Sequence, residues 1–126
     1  MTEKEPKRRT KAFALRVLKL IDPLPEMRSG RIHAGQLGRS GTSVGANYRA
    51  ACRSRSTAEM VSKLSVVEEE ADESAFWLEL VVEHGRVPSA KVDALYQEAD
   101  ELTTTMVVSR RTLTKSKIEN PKSKIP

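Results

Sequence analysis

The chain lacks most of what builds a sheet, a disulfide framework or a metal centre. Its 126 residues include one cysteine and two histidines, and only 4% of them are aromatic. A single cysteine, Cys52, excludes an intramolecular disulfide and any multi-cysteine zinc site. That usage points to a reducing compartment, most simply the cytoplasm. With so few aromatics the core has to come from aliphatic side chains and alanine, which suits packed helices better than a sheet. No apolar run approaches the roughly 20 residues that cross a bilayer, and the charged N-terminus leads into an amphipathic segment rather than a signal peptide. A soluble protein without membrane contact is expected. One domain fits the length, which allows a modest core and not two.

Charge is present in plenty but unevenly placed. Residues 1–11 hold five basic and two acidic residues, and residues 110–126 hold six and one. Between them, residues 12–109 hold eleven basic and fourteen acidic residues, so the formal net charge of +5 comes from the two ends. Basic tails bind nucleic acid by releasing counterions, and they also serve as plain solubilising ends. Both readings stand at this level.

Hydrophobic periodicity predicts four helices. The first covers 10–21, with Ala14, Val17, Leu18 and Ile21 at helical spacing, and Pro23 and Pro25 end it. Leu24 lies between those prolines as a plug under the turn. The second covers 32–53 along the seam Leu37, Gly41, Val44, Tyr48 and Ala51. Gly35, Gly38, Gly41 and Gly45 each cost a helix about 1 kcal/mol against alanine, so close approach to a neighbouring helix is expected in return. The alternative is that residues 30–41 are only partly helical. Ser56 or Thr57 caps a third helix over 58–84, whose seam is Met60, Leu64, Val67, Ala71, Ser74, Leu78 and Val81. Its second apolar line runs through Val66 and Trp77, and Gly85 closes it. Pro88 and Ser89 open a fourth helix reaching Leu113, with Val92, Leu95, Ala99, Leu102, Met106 and Ser109 in line. Short connections make this an all-α protein, an antiparallel up-down-up-down four-helix bundle. The expected organisation is a basic N-terminal tail over 1–9, the bundle over 10–113 and a basic, disordered C-terminal tail over 114–126.

Three segments carry a family resemblance: QLGRSGTSVGANY at 36–48, EEADESAFWLEL at 69–80 and LYQEADELTTTM at 95–106. Gln36, Leu37, Arg39, Ser40, Ser43 and Asn47, followed by the acids from Glu69 to Glu73, resemble the pattern of the bacterial 23S rRNA intervening-sequence proteins. The resemblance implies a left-turning bundle that assembles into a ring-like homo-oligomer, with a pentamer favoured. It also implies kinship with the accessory variability protein of diversity-generating retroelements, which binds nucleic acid and a reverse transcriptase. RNA, DNA and a reverse transcriptase are therefore candidate partners by analogy. Many relatives continue Asn-x-x-Glu-Gly after the asparagine. This chain reads Asn47, Tyr48, Arg49, Ala50, Ala51, so the usual acid is missing and the second helix is more basic.

The residues themselves offer three constellations. No acid interrupts the run between Glu26 and Glu59, which contains Arg28, Arg31, Arg39, Arg49, Arg53 and Arg55. On a continuous helix Arg31, Arg49 and Arg53 fall within about 40° of one another. Together with Arg55 they form a candidate phosphate-tracking stripe, with Tyr48 placed to stack on a base. The competing reading pairs these arginines with the acidic helices of the same or a neighbouring subunit. A second candidate is a buried polar network in which Arg39, Ser43 or Asn47 meets Glu68, Glu70 or Glu73, with Arg39, Asn47 and Arg49 as the candidate partners of Glu68. Trp77 and Leu80 are the candidate oligomer interface. Neither His33 nor His84 stands in the Glu-x-x-His pairs of di-metal bundles, and Cys52, Ser40 and Ser43 lack a nearby base. No catalytic residue, metal or cofactor is expected. The favoured reading is a non-enzymatic homo-oligomeric bundle that binds RNA or DNA through its basic surface and tails. The alternative is a protein-binding scaffold or accessory subunit without nucleic-acid contact.

Overall fold

A computed structural model describes residues 3–119, with side chains through residue 116. Four helices follow one another: α1 Lys4–Ile21, α2 Arg28–Ala51, α3 Thr57–Glu83 and α4 Asp93–Glu119, the last preceded by a 3₁₀ turn at Ser89–Lys91. Consecutive helices pack along their lengths, while α1 and α4 meet more lightly. The described residues contain no strand.

The seams of α2, α3 and α4 enter one core. Leu37, Val44, Leu64, Val67, Ala71, Leu78, Val81, Ala99, Leu102 and Met106 are fully buried, and Leu24 sits under the α1–α2 turn as expected. On α1 the inward line differs from the sequence reading. Phe13 and Val17 are buried, whereas Leu18 points outward at 40% exposure. Leu18 is rotated about 100° from Val17, and the face toward α2 is set by Thr10, Phe13 and Val17.

α1 begins at Lys4 rather than Thr10, so most of the supposed N-terminal tail is helix. Pro6 falls in the first turn, where a missing N–H costs nothing, and Arg8 pairs with Glu5 one turn back. Arg9 then ties α1 to Glu98 of α4, with Glu101 3.6 Å away. α4 likewise runs past Leu113, and of the expected C-terminal tail only 120–126 lie outside the described residues.

α2 is continuous, which removes the partly helical alternative. Its small residues are where α1 and the α1–α2 connection come close. A Cβ on Gly41 would stand 2.8 Å from both methyls of Val17, and one on Gly30 would collide with the Pro25 carbonyl. Opposite them, the buried hydroxyls of Ser40 and Ser74 lie 3.0 Å apart across α2 and α3. Ser56 caps α3 by accepting the Glu59 N–H, and Gly85 ends it in the left-handed region at φ 72°. The Gly85 and Arg86 N–H groups then return to the Val82 and Val81 carbonyls, closing the last turn.

Candidate nucleic-acid interface

Basic side chains gather where α2 ends, against the first turns of α1 and α3. Arg49 is on the last turn of α2, and Arg53 and Arg55 follow in the α2–α3 turn. Two adjoining grooves share Arg49 and Arg53 as their common wall. One lies between α1 and α2 and is lined by Lys7, Lys11, Arg49 and Arg53. The other lies toward α3 and adds Arg55, Lys63 and Glu59. Among these cations only Lys63 makes an ion pair within the described residues, with Glu59 at 3.4 Å. Arg49, Arg53, Arg55, Lys7 and Lys11 are exposed.

Two residues expected on this surface fall elsewhere. Arg31 precedes Arg49 by 18 residues on one helix, about 27 Å at roughly 1.5 Å per residue, so it sits at the opposite end. Tyr48 is 1% exposed and belongs to the core, so it presents no face to a base. Burial, aided by the Cys52 thiol beside it, holds its phenol far above the ordinary range. Arg53 lies past the end of α2, so the wheel angle computed for a continuous helix does not apply to it. The sequence places Lys7 in the N-terminal tail and Lys11 in the first helix, and marks neither as part of this surface. An α1 starting at Lys4 puts them one turn apart beside Arg49 and Arg53.

The polar network is only partly as expected. Arg39 bonds Glu70 at 3.3 Å and also Glu73, tying α2 to α3, but its side chain is 48% exposed, so this is a surface tie and not a buried one. The association holds Glu73 below its ordinary pKa. Asn47 donates to the Ser43 carbonyl one turn back at 2.9 Å, a bond within α2. Glu68 turns the other way and meets Arg110 of α4 at 3.0 Å, not Arg39, Asn47 or Arg49. Sequence spacing places Glu68 between Leu64 and Ala71, at the edge of the α3 seam, and does not show which side of that edge it takes.

Trp77 and Leu80 are half-buried, and the Trp77 indole reaches Glu73 at 3.5 Å. The more exposed aromatic is its neighbour Phe76, at 52%, packed edge-on against it with centroids 5.3 Å apart. The two histidines, 51 residues apart in sequence, come together: His33 Nε2 lies 3.0 Å from His84 Nδ1. His33 is buried among Trp77, His84 and Arg86, and burial followed by those two basic groups lowers its pKa. Nothing in the local spacing marks such a pair.

No group of three or more ligating side chains converges among the described residues. Ser40 is fully buried, and burial raises the Cys52 thiol, so neither offers an activated nucleophile. No described helix is long and apolar enough to cross a membrane.

The sequence pattern described as "23S rRNA-intervening sequence protein" matches residues 5–107, from the first turn of α1 into α4. The chain belongs to that family. A crystal structure of a protein of unknown function, from the S23 ribosomal protein family of Bacteroides thetaiotaomicron, superposes on this family member with a TM-score of 0.81. It is 27% identical and covers 88% of this chain and 99% of its own. No curated protein matches. Neither the family nor that neighbour indicates an enzyme class, and the neighbour shares the four-helix fold.

Proposed function

We propose that this protein is a non-enzymatic, cytoplasmic, homo-oligomeric bundle that binds RNA or DNA through its basic end and its basic terminal segments. The observation that carries the reading is the convergence of Lys7, Lys11, Arg49, Arg53, Arg55 and Lys63 from α1, α2, the following turn and α3 onto two adjoining grooves. All of these but Lys63 are exposed and have no acidic partner among the described residues, which favours a polyanion, and releasing its counterions drives association. With Tyr48 in the core, no aromatic lines either groove, so the chemistry favours backbone phosphates over base readout. A pentamer, and a reverse transcriptase as a protein partner, are the forms suggested by family analogy.

The test is binding of structured RNA and duplex DNA across a salt titration. Affinity should fall linearly on logarithmic axes as salt rises. Arg49→Glu with Arg53→Glu should lower low-salt affinity at least about tenfold while the helical signal is kept, since both side chains are exposed. A scaffold role without nucleic-acid contact is the second reading, favoured by the half-exposed Phe76 beside Trp77. It requires an oligomer of the same size and no retardation of either nucleic acid at low salt.

A further inference from the structure

The two basic grooves differ in one respect that bears on how a phosphate chain would lie. Each is lined by four cations, and Arg49 and Arg53 belong to both. The α1/α2 groove adds Lys7 and Lys11 and contains no carboxylate. The neighbouring groove adds Arg55 and Lys63 but also contains Glu59. One Glu59 oxygen accepts the Arg55 backbone N–H at 3.4 Å, and the other lies 3.4 Å from the Lys63 ammonium. The Glu59 N–H is itself held by the Ser56 cap. The carboxylate therefore stands over a backbone donor, at the positive end of a 27-residue helix, inside a ring of cations.

We propose that Glu59 is a resident anion that takes a phosphate's place in the α3-side groove, directing a bound nucleic-acid backbone into the acid-free α1/α2 groove. The proposal rests on the nucleic-acid reading above and adds which groove is used and what restrains the other. The Glu59–Lys63 pair is a poor candidate for a purely stabilising feature. Both side chains are more than a third exposed, and such pairs contribute little to folding. The floor of the acid-free groove is suited to close approach. It is made of Thr10, Ala14, Thr42, Gly45 and Ala46, and a Cβ on Gly45 would press on the Thr10 carbonyl at 3.3 Å. The Thr10 and Thr42 hydroxyls donate to the Pro6 and Gly38 carbonyls of their own helices at 2.8 and 2.7 Å. Contact there is thus governed by the four cations on the walls, and the groove takes a phosphate backbone regardless of base sequence.

The experiment compares full-length wild type, Glu59→Gln, Glu69→Gln and Lys7→Ala with Lys11→Ala. The probe is a fluorescently labelled single-stranded RNA, with duplex DNA of the same sequence in parallel. Glutamine preserves the capping arrangement, because its amide oxygen still accepts the N–H. Glu69→Gln makes the same change in net charge on an exposed position of α3 outside both grooves. Glu59→Gln should bind about fivefold more tightly at low salt, with the log–log salt slope steeper by about 0.7–0.9, the value for one added phosphate contact. Glu69→Gln should stay within about twofold of wild type, and the lysine double variant should weaken binding about tenfold. Equal affinities for Glu59→Gln and Glu69→Gln, with the lysine variant still weak, would overturn the role of Glu59 and leave the nucleic-acid reading in place. Wild-type affinity in the lysine variant would overturn the assignment to the α1/α2 groove. Absence of wild-type binding at low salt would remove the nucleic-acid reading and this proposal with it.

Discussion

His33 and His84 join the start of α2 to the cap of α3 through a single contact between imidazoles, 3.0 Å apart. The His33 ring is buried, and its other nitrogen has no hydrogen-bond partner among the described residues. Burial, His84 and Arg86 all oppose its protonation, so its pKa falls below the ordinary value of 6.5. The sign follows directly. Above 6.5 neither the folded nor the unfolded chain holds a proton on this ring. As pH falls below 6.5 the unfolded chain takes one up first, so stability declines until the folded pKa is reached. Urea unfolding should therefore show a lower midpoint at about pH 5.5 than at about pH 7.5, above the range where most carboxylates titrate. His33→Gln should flatten that step whatever its effect on overall stability. An equally steep step in the variant would assign it to other groups. This pair was invisible in the sequence because its members are distant in the chain and share no motif. Tyr48 shows the opposite situation: the sequence put it both in the α2 seam and on a stacking surface, and helical geometry allows only the first.

At the scale of the helix, the glycines of α2 separate into those the packing requires and one it does not. A Cβ on Gly41 would press on Val17 at 2.8 Å, while one on Gly35 would meet nothing within 4 Å. Gly35→Ala should therefore raise stability by about 1 kcal/mol, the helix-propensity difference. Gly41→Ala should lower it by about 1–3 kcal/mol, because the branched Val17 methyls have little room to yield. Thermal or urea denaturation of the two single variants checks both signs, and a stabilised Gly41→Ala would show that α1 can shift away. The sequence made close packing at α2 legible through its glycines but left the neighbour open; the structure identifies α1. The seams of α2, α3 and α4 were legible because a 3.6-residue period survives over five to seven positions. The ends of α1 and α4 were not, because they are extended by charged residues that carry no hydrophobic period, among them Arg9, which gains Glu98 only when α4 folds beside it.

For the whole molecule, the polarity of charge is the dominant feature. Residues 3–55 carry thirteen basic and four acidic residues, and residues 56–109 carry three and twelve. Since the first span forms α1 and α2 and the second α3 and most of α4, one pair of helices is basic and the other acidic. Within one chain this difference is only partly used, by Arg39 toward Glu70 and Glu73 and by Arg9 toward Glu98. In the proposed homo-oligomer it would favour a head-to-tail arrangement between copies, the heterologous contact from which closed rings are built. Charge alone would orient such copies but would weaken with salt, so a lasting assembly needs apolar contact as well. Phe76 is the suitable residue: it is an aromatic ring 52% exposed on the acidic α3, standing outside the core and resting on Trp77. Exposed Leu15 and Leu18 on the basic α1 offer the corresponding apolar surface. Phe76→Asp should therefore shift the mass measured by light scattering toward the monomer while leaving the helical signal and the unfolding midpoint of the single chain nearly unchanged. An unchanged mass would place the contact elsewhere, and a monomeric wild type would remove the assembly altogether.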